Sequence, residues 1–556
     1  MIGLNKIGLN QVQLNRLRLN APFPAYGKMA GGGGSGDGFP VLPGDVTRWH
    51  FGGLTNEMMA AMDDPRIEDA DHKGRFLSFK NFAWKEGSGI SDIYPGALVF
   101  DGVDDYGVCD NFPILTKEKG YTVVALRQWL SFQDIGYPTL VVNSTDRLAA
   151  FSFEDFRNKT KSTWNWGKSV GLSDYKIPLL YTYQTSTSYN SKTISAGATE
   201  EGSNILQVCR SGFYCANAAI WEIVILDHDA TEEELTKIKD YFVKTYPWLF
   251  PDQAWTVVGK TNEDEDRATI ANITGNGNDL VLSNFGFAEG SGYGLYKTPF
   301  ELYPSVQHSS KYSLSFSKFA LGDHNLIIAP KQNDLSYDIK VKVTGLKDGV
   351  KFKWGWIGTT GYIDITTDGI HMLNKPASQI RQLIVEFAED FDPDHVVTIE
   401  QIPEYEGYLI TDGVDDEIIS AKLIQFADKF TIVGDWKFME DRNDNAGLLK
   451  ANQIYIYNAT TGMRIYLKQG SKNYPFSCKK INALTSDGWV YDEKWDKYKV
   501  YPIGSDIDIS SRLFLGFYSS NFTKIALKNL GIYNDQLLSK DDCIKAYNYL
   551  QTLKAK

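Results

Sequence analysis

The sequence predicts a mainly β protein in which one β-sandwich is built twice and a further β-rich block interrupts the second copy. Three observations support this prediction. The pentapeptide Asp-Gly-Val-Asp-Asp occurs twice, at residues 101–105 and 412–416. Each copy lies between apolar runs, and Asp-Gly in that position is typical of an antiparallel β-hairpin. Aromatic residues make up 13% of the chain, and 31 residues are tyrosines, which suits large β-cores.

The flanks of the pentapeptide repeat as well, so the duplication concerns a whole folding unit. Downstream, the apolar run 121–124 corresponds to 430–433, and upstream Trp49 corresponds to Trp255. The offset between the copies is 203 residues at the matching pair Asn81 and Asn284, but 311 residues at the pentapeptide. The second copy therefore contains about 108 additional residues, which is enough for a small domain.

These correspondences divide the chain into five predicted segments: an N-terminal arm (1–30), a glycine-rich hinge (31–40), a first sandwich (41–250), a second sandwich (251–302 plus 405–556) and an inserted block (303–404). Each sandwich copy ends in an apolar strand followed by a short helix. Thr231 and Glu234 have the spacing of a capping box at the start of the first helix. Apolar residues alternate at 337–343, which is typical of a small immunoglobulin- or fibronectin-like sandwich.

The first 20 residues repeat the dipeptide Leu-Asn at a strict period of five, in the string MIGLN KIGLN QVQLN RLRLN. This period fits neither a helix nor one long strand, and it predicts short turns of β-structure. Four pentads bury too little apolar surface to fold alone, so we expect a β-type arm that anchors the chain to a partner. A frayed tail is the alternative, although aliphatic residues in every pentad suit a solvated tail poorly. The predicted anchor residues are Ile2, Leu4, Ile7, Leu9, Val12, Leu14, Leu17 and Leu19.

Charge, cysteine content and hydropathy argue against several classes of protein. The formal net charge of −12 disfavours a broad nucleic-acid interface. No stretch has the length of a membrane helix, and the N-terminus lacks the continuous apolar core of a signal peptide. The five cysteines form no CxxC pair, so we expect reduced core thiols, with a bridge between Cys209 and Cys215 as the alternative. We therefore expect no nucleic-acid partner, no membrane partner and assembly in a cytosol-like compartment.

Three features together resemble the concanavalin A-like, laminin-G-like jelly-roll domains. They are the string LVFDGVDDYG at 98–107, a strand some 20 residues later, and a terminal apolar strand with an acidic-capped helix. The resemblance covers 41–250, and 251–302 plus 405–553. It implies two jelly-roll sandwiches, each closed by a short helix. Such sandwiches occur in lectins, hydrolases and structural modules, so the resemblance leaves the ligand open.

The two pentapeptides hold the residues most open to a chemical role, namely Asp101, Asp104, Asp105, Asp412, Asp415 and Asp416. Clustered carboxylates can supply oxygen ligands to Ca²⁺. An aspartate can instead stabilise the turn that contains it, by accepting hydrogen bonds from nearby backbone N–H groups. The turn-forming role is the favoured interpretation, with Ca²⁺ as the alternative and no other cofactor expected.

No residue is predicted to be catalytic. Laminarinase-type hydrolases of the same clan carry alternating carboxylates on one strand face. The nearest string here, Ile67-Glu68-Asp69-Ala70-Asp71, lacks the third carboxylate. The acidic run 263–266 is typical of a solvated surface. The seven histidines show no zinc-binding spacing. Because both the carboxylate pattern of a hydrolase and a zinc site are missing from the sequence, we expect a protein that is not an enzyme.

The layout as a whole looks like fibre proteins of tailed phages of gut Bacteroidetes, including the crAss-like group. This resemblance implies a virion surface protein, either a head fibre or a capsid decoration, assembled in the host cytoplasm. It also implies a homotrimer whose arm binds the major capsid protein or another virion protein, with sandwiches displayed for adhesion to glycans. The alternatives are a tail fibre or receptor-binding protein, a bacterial carbohydrate-binding surface protein, and a glycoside hydrolase of the same clan. The missing signal peptide and the missing carboxylate triad count against the last two.

Overall fold

The structure of the protein is a computed structural model, and it describes residues 38–115, 121–131, 139–142, 152–157, 162–165, 168–171, 179–184, 188–189, 192–193, 203–275, 277–288, 290–294, 300–302, 312–317, 328–330, 337–346, 350–356, 363–375, 381–387, 392, 394–439, 444–451, 454–459, 462–467, 470–473, 480–499, 510–518 and 521–555. The predicted anchoring arm, with its eight aliphatic anchor residues, lies outside the described residues. So does the predicted hinge up to residue 37.

The chain forms two compact units. The first comprises the chain up to Phe250 together with Lys540–Leu553, and the second comprises Pro251–Ser539 and Lys554–Lys556. Regular structure in both units is mainly antiparallel β, which confirms the fold class predicted from the sequence. Within the described part of the chain, none of the helices has the length and apolar character of a membrane span.

Two sheets build the sandwich of the first unit. The sheet that we call the front sheet runs in the order Leu179–Gln184, Thr122–Ser131, Asn217–Leu226, Leu98–Asp101 and Gly89–Ile90, with Val46–His50 also paired to Asn217–Leu226. The other sheet, the back sheet, runs in the order Arg66–Glu68, Phe76–Lys80, Tyr106–Cys109, Leu206–Val208, Thr139–Val142, Ser152–Arg157, Ser162–Asn165 and Lys168–Gly171. Two short two-stranded ribbons are also present. One pairs Ser188–Tyr189 with Lys192–Thr193, and the other pairs Arg210–Ser211 with Tyr214–Cys215.

The second unit repeats this strand order. Its front sheet runs Trp489–Asp492, Lys480–Thr485, Phe430–Phe438, Ile525–Asn534, Leu409–Ile410 and Gly292–Tyr293, with Lys497–Lys499 added at the edge and Gln253–Thr256 paired to Ile525–Asn534. Its back sheet runs Thr269–Ile270, Leu280–Ser283, Glu417–Ser420, Phe514–Leu515, Asp444–Ala451, Ile454–Ala459, Gly462–Leu467 and Gly470–Asn473. Short ribbons pair Ile424–Gln425 with Ser510–Ser511, and Phe517–Tyr518 with Asn521–Phe522. The repeated sequence therefore builds the same double sheet twice.

The extra residues of the second copy form further sheets within the second unit. One sheet has four strands in the order Ser313–Phe316, Val397–Gln401, Tyr337–Thr344 and Gly369–Lys375. Another has three, Ile363–Ile365, Val350–Trp356 and Arg381–Phe387, and a ribbon pairs Phe300–Leu302 with Ile328–Pro330. Alternation places Ile339, Val341 and Val343 in the core of this block and leaves the lysines between them exposed.

Each sandwich buries one apolar core between its sheets. Trp49 and Trp255, the matching tryptophans of the two copies, are both buried in these cores. Both front sheets also carry a β-bulge at the same position. The extra residue is Trp221 in the first unit and Lys528 in the second. A bulge changes the direction of the side chains around it. The two copies therefore have the same backbone irregularity but a different residue at it.

The Asp-Gly-Val-Asp-Asp segment is a corner between sheets, so the expectation of a hairpin is wrong. In the first unit Leu98–Asp101 belongs to the front sheet and Tyr106–Cys109 to the back sheet. Leu409–Ile410 and Glu417–Ser420 are divided in the same way in the second unit. An Asp-Gly signal is local and reports only a turn. The sheet that the next strand joins depends on partners far away in the sequence, here 76–80 and 206–208 for the first unit.

In the residues that the structure describes, the helices are Asn56–Ala60, Glu232–Thr245, the 3₁₀ turn Pro247–Leu249 and Lys540–Thr552. Thr231 caps Glu232–Thr245 as predicted. Its hydroxyl accepts from the Glu234 N–H at 3.3 Å, while the Glu234 carboxylate accepts from the Thr231 N–H at 2.7 Å. The buried side of this helix includes Ile238, Tyr241 and Phe242. An amphipathic helix with a capping box thus covers the first unit, as its sequence pattern indicates.

The described cysteines are Cys109, Cys209, Cys215 and Cys543, and all four are buried free thiols. Burial raises the pKa of both Cys109 and Cys215 to about 11. The expectation of reduced core thiols is confirmed for these four, whereas Cys478 lies outside the described residues.

Replacing Thr231 with alanine tests the cap. We expect Thr231→Ala to lower the free energy of unfolding by about 1 kcal/mol, because the first turn of the helix loses an acceptor for its backbone N–H groups. Urea unfolding followed by circular dichroism measures the change. Thr236→Ala, at an exposed position of the same helix, is the control and should cost less than about 0.5 kcal/mol. Equal losses in the two variants would contradict a specific capping role.

Candidate functional site

The six aspartates that the sequence singles out form two clusters, one in each unit. Within each cluster, one carboxylate oxygen from every aspartate lies within 4.8 Å of the others. The first aspartate of each pentapeptide is partly buried, the fourth residue is exposed and the fifth is buried. The sequence therefore predicts correctly which carboxylates come together, and their hydrogen bonds indicate what they do.

In each pentapeptide, the carboxylate of the first aspartate accepts hydrogen bonds from backbone N–H groups of the turn, and the carboxylate of the last aspartate accepts one from the N–H of the first. We call this arrangement the corner clasp. Asp101 Oδ1 accepts from the N–H groups of Val103, Asp104 and Asp105 at 2.7, 3.2 and 3.4 Å. In return, the Asp101 N–H donates to Asp105 Oδ2 at 3.0 Å. Each carboxylate thus satisfies backbone groups that the turn leaves without partners.

The second unit contains the same corner clasp. Asp412 Oδ1 accepts from the N–H groups of Val414 and Asp415 at 2.7 and 3.3 Å. The Asp412 N–H donates to Asp416 Oδ2 at 2.7 Å. The repeated letters of the sequence therefore encode one repeated hydrogen-bond network.

Residues from the repeated flanks complete the network. The side-chain amides of Asn81 and Asn284 donate to the carbonyl oxygens of Asp104 and Asp415, both at 3.0 Å. In the second unit the Ser291 hydroxyl donates to Asp416 Oδ1 at 2.9 Å and accepts from the Gly286 N–H at 2.8 Å. The sequence shows that these residues repeat, but their roles become visible only once the sheets bring them to the corner.

Glycine is required at the second position of the corner. Gly102 and Gly413 have φ angles of +76° and +77°, which residues with a side chain rarely adopt. A Cβ atom on Gly102 would lie 2.6 Å from the Cβ atom of Asn217, and one on Gly413 would lie 3.0 Å from the backbone nitrogen of Lys524. The backbone at the start of the neighbouring front-sheet strand therefore also excludes a larger residue.

Burial changes the acidity of the last aspartate in each corner clasp. Burial raises the pKa of Asp105 to about 7 and the pKa of Asp416 to about 6, outweighing the hydrogen bonds that favour the ionised form. Nearby Asp101 and Asp412 also contribute to raising these two pKa values by charge repulsion.

This donor set suits a turn better than a Ca²⁺ site. Ca²⁺ takes six to eight oxygen ligands, whereas Asp101 Oδ1 already accepts three N–H groups and Asp105 Oδ2 accepts another. A carboxyl group with a raised pKa is also a poor ligand, because it tends to hold its proton. Metal binding by Asp101, Asp104 and Asp105, or by their counterparts in the second unit, stays a prediction.

Three of the acidic residues considered for catalysis, Glu68, Asp69 and Asp264, accept hydrogen bonds from nearby backbone N–H groups. Asp69 Oδ1 accepts from the N–H groups of Lys73 and Arg75, both at 3.0 Å, and Glu68 Oε1 accepts from the Gly74 N–H at 3.0 Å. In the acidic run, Asp264 accepts from the Thr261 N–H at 2.9 Å. These carboxylates organise loops in the described structure.

A buried charge pair in the first unit escaped the sequence reasoning. The Arg48 guanidinium donates to Glu222 Oε1 at 2.9 Å, and both side chains are fully buried. Tyr246 and His50 contact Glu222 Oε2 at 2.9 and 3.0 Å, and Arg48 also donates to the Tyr241 hydroxyl at 3.0 Å. The available signal was a glutamate inside the apolar run 220–226. Its partner could not be named without the strand register.

Comparison with known proteins leaves the family open. No protein-family model matches the sequence, and no curated protein matches it. One similar structure is of botulinum neurotoxin type C, whose uptake by cells is described as dependent on two ganglioside molecules. It has 9% identity over 61% of this chain and 95% of that chain, with a TM-score of 0.23. A Trypanosoma rangeli sialidase in complex with sialic acid has 9% identity over 86% of this chain and 59% of its own, with a TM-score of 0.20.

A tandem CBM22 domain from Paenibacillus barcinonensis has 11% identity over 65% of this chain and 97% of its own, with a TM-score of 0.15. Similarity at this level carries no argument about ligand or activity. The fold described above therefore rests on the strand order of the two units alone.

Replacing Asp101 or Asp412 with alanine separates the turn-forming role from metal binding. We expect each variant to lower the free energy of unfolding by roughly 1–3 kcal/mol, because backbone N–H groups lose their acceptor. The loss should be the same in EDTA and in millimolar Ca²⁺, as measured by thermal unfolding. Asp104→Ala, at the exposed position, is the control and should have little effect. A loss seen only when Ca²⁺ is present would instead identify a metal site.

The raised pKa values predict a pH effect with a defined sign. Below the ordinary aspartate pKa of 3.8, Asp105 and Asp416 are protonated in both states, and the folded state keeps these protons at higher pH. The resulting stability is fully present at acidic pH and is lost as pH rises through about 7 for Asp105 and about 6 for Asp416. Asp105→Asn cannot ionise, so its unfolding temperature should rise relative to the unmodified protein between pH 4 and 8. A curve for Asp105→Asn that runs parallel to that of the unmodified protein over this pH range would contradict the assignment.

Proposed function

We propose that the protein is a non-enzymatic surface protein of a tailed-phage virion, either a head fibre or a capsid decoration. In this proposal the N-terminal arm binds the major capsid protein or another virion protein. The two sandwiches are displayed outward and bind host or mucosal glycans. Individual glycan contacts of this kind are weak, and several sandwiches on one particle would raise avidity by roughly 10² to 10⁴.

The observation that carries the proposal is a duplicated framework with different side chains around it. Both copies keep the corner clasp, the bulge position and the buried tryptophan of the first strand. Around the bulge the first copy has Trp221 and the second has Lys528. Keeping a scaffold while changing its surroundings is how one fold comes to present several binding surfaces.

The sequence of the arm supports attachment to a larger assembly. Eight aliphatic residues at fixed places in four pentads need apolar partners, and a glycine-rich stretch separates them from the first sandwich. A trimer would let three arms bury these residues against one another or against a capsid protein.

Two alternatives differ in measurable ways. A tail fibre or receptor-binding protein would share the adhesive sandwiches but occupy another place on the particle. A glycoside hydrolase would need a pair of carboxylates facing a substrate, whereas Glu68 and Asp69 are engaged with backbone N–H groups. Labelling virions with antibodies to this chain separates head from tail, and a reducing-sugar release assay separates adhesion from hydrolysis.

Removing residues 1–30 tests the anchor. We expect the full chain to sediment as a trimer, with three times the 62.5 kDa mass of one chain, and to associate with particles. The truncated chain should sediment as a monomer and lose particle association, because the aliphatic contacts are gone. Replacing Leu4, Leu9, Leu14 and Leu19 with serine should have the same effect. Replacing them with isoleucine is the matched control and should preserve the trimer. A full chain that is monomeric and absent from particles would overturn the proposal.

A further inference from the structure

The described part of the second unit contains a cleft of about 430 Å³ where the inserted block meets its host sandwich. One wall is the outer face of the four-stranded inserted sheet. The other is the turn 404–407, which leads into the strand Leu409–Ile410 of the front sheet. Tyr408, which follows this turn, also lines the cleft.

The first unit has no insertion, so its equivalent turn can be compared with the turn 404–407 that forms one wall of the cleft. Gly96 and Gly407 occupy equivalent turns, with φ angles of +79° and +73°. A Cβ atom on Gly96 would lie 4.0 Å from Trp221, and one on Gly407 would lie 4.0 Å from the equivalent bulge residue Lys528. The backbone is thus the same at this position in both units, and side chains can be compared one by one.

Three side chains differ together at this place. The first unit has Ala97, Leu126 and Trp221, all fully buried, and Trp221 is held by a hydrogen bond from its indole N–H to a backbone carbonyl oxygen at 2.9 Å. The second unit has Tyr408, Asp435 and Lys528 at the equivalent positions. Fully buried apolar side chains in the first unit are therefore replaced by polar ones in the second, where Tyr408 and Lys528 are partly exposed.

Partly buried contacts fix the position of Tyr408. Its hydroxyl donates to Asp435 Oδ2 at 2.8 Å, and Asp435 Oδ1 is paired with Lys480 at 2.8 Å. The ammonium of Lys528 lies 5.7 Å from the centre of the Tyr408 ring. Neither Asp435 nor Lys528 lines the cleft. Tyr408 is therefore held in place before any ligand arrives, which reduces the entropy cost of binding.

The walls combine apolar surface with an excess of carboxylates. Lys340 and Met372 are directly paired on neighbouring strands, and both are exposed on the outer face of the inserted sheet. Asp338, Glu404 and Glu406 also line the cleft and are exposed. The charged lining is thus three carboxylates and one ammonium group.

We infer that this cleft binds a neutral, polyhydroxylated sugar at the end of a glycan. Sugar hydroxyl groups donate to carboxylates, while the C–H face of a sugar ring contacts apolar side chains such as Tyr408 and Met372. A sialic acid or uronic acid would place its own carboxylate among three others, which costs free energy by charge repulsion. The choice of a glycan as ligand rests on the proposed adhesive function.

An array of immobilised oligosaccharides with neutral ends, together with the sialylated form of each, tests the inference on the full chain. We expect binding to at least one neutral oligosaccharide and a binding constant lower by about 10-fold or more for its sialylated form. Tyr408→Ala, which restores the residue of the first unit, and Lys340→Glu, at an exposed position, should each weaken binding by about 10-fold as measured by calorimetry.

Lys429→Glu is the matched control, because it makes the same charge change at the exposed residue that immediately precedes the strand Phe430–Phe438, about 20 Å from Asp435 at about 3.3 Å per residue. It should leave binding unchanged. Binding that survives both Tyr408→Ala and Lys340→Glu would overturn the assignment of this cleft and leave the adhesive function standing. Equal binding of sialylated and neutral forms would overturn the neutral specificity. Binding to no glycan at all would overturn both the cleft and the proposed function.

Discussion

The corner clasp is the constraint on which the rest of each sandwich depends. Asp101 ends a front-sheet strand, and only four residues separate it from Tyr106, which begins a back-sheet strand. So short a connection allows few backbone conformations, so the geometry of the turn determines the relative position of the two sheets. The carboxylates of Asp101 and Asp105 fix that geometry by taking the backbone N–H groups that a tight corner would leave unpaired. The same solution in the second unit shows that the requirement belongs to the fold.

Much of this architecture could be predicted from the sequence because the same short motifs occur twice in the same order. The repeated tryptophan, asparagine and aspartate positions all lie at equivalent places in the two units. The corner was misjudged as a hairpin, since an Asp-Gly signal reports a local turn and says nothing about which sheet receives the next strand. The Arg48–Glu222 pair was missed for a related reason. Two charged residues 174 positions apart become partners only through the register of two strands.

Tyr408 illustrates a different limit. No motif marks it, and in the linear sequence it is one of 31 tyrosines. Its position gains meaning only when the second unit is compared with the first, residue by residue, across an insertion and a bulge. The same comparison shows that each copy fills its polar positions in its own way. Where the first unit buries Arg48 and Glu222, the second has Ala254 and Asn529, and Asn529 accepts from the Asp435 N–H at 3.1 Å. A buried ion pair is therefore dispensable to this fold, whereas the corner clasp is kept.

The last helix has a consequence for how the protein is made. Lys540–Thr552 belongs to the first compact unit, where the Lys545 ammonium lies 4.1 Å from the centre of the Trp248 ring. During translation, about 290 residues separate the end of the main segment of that unit from its final helix, a delay of roughly 15 to 60 s at about 5–20 residues per second. Through this interval the nascent first unit lacks the buried side chains of Cys543 and Leu550. The first unit therefore cannot be complete until Lys540–Leu553 has been synthesised, and a chain truncated before Lys540 would lack this part of it.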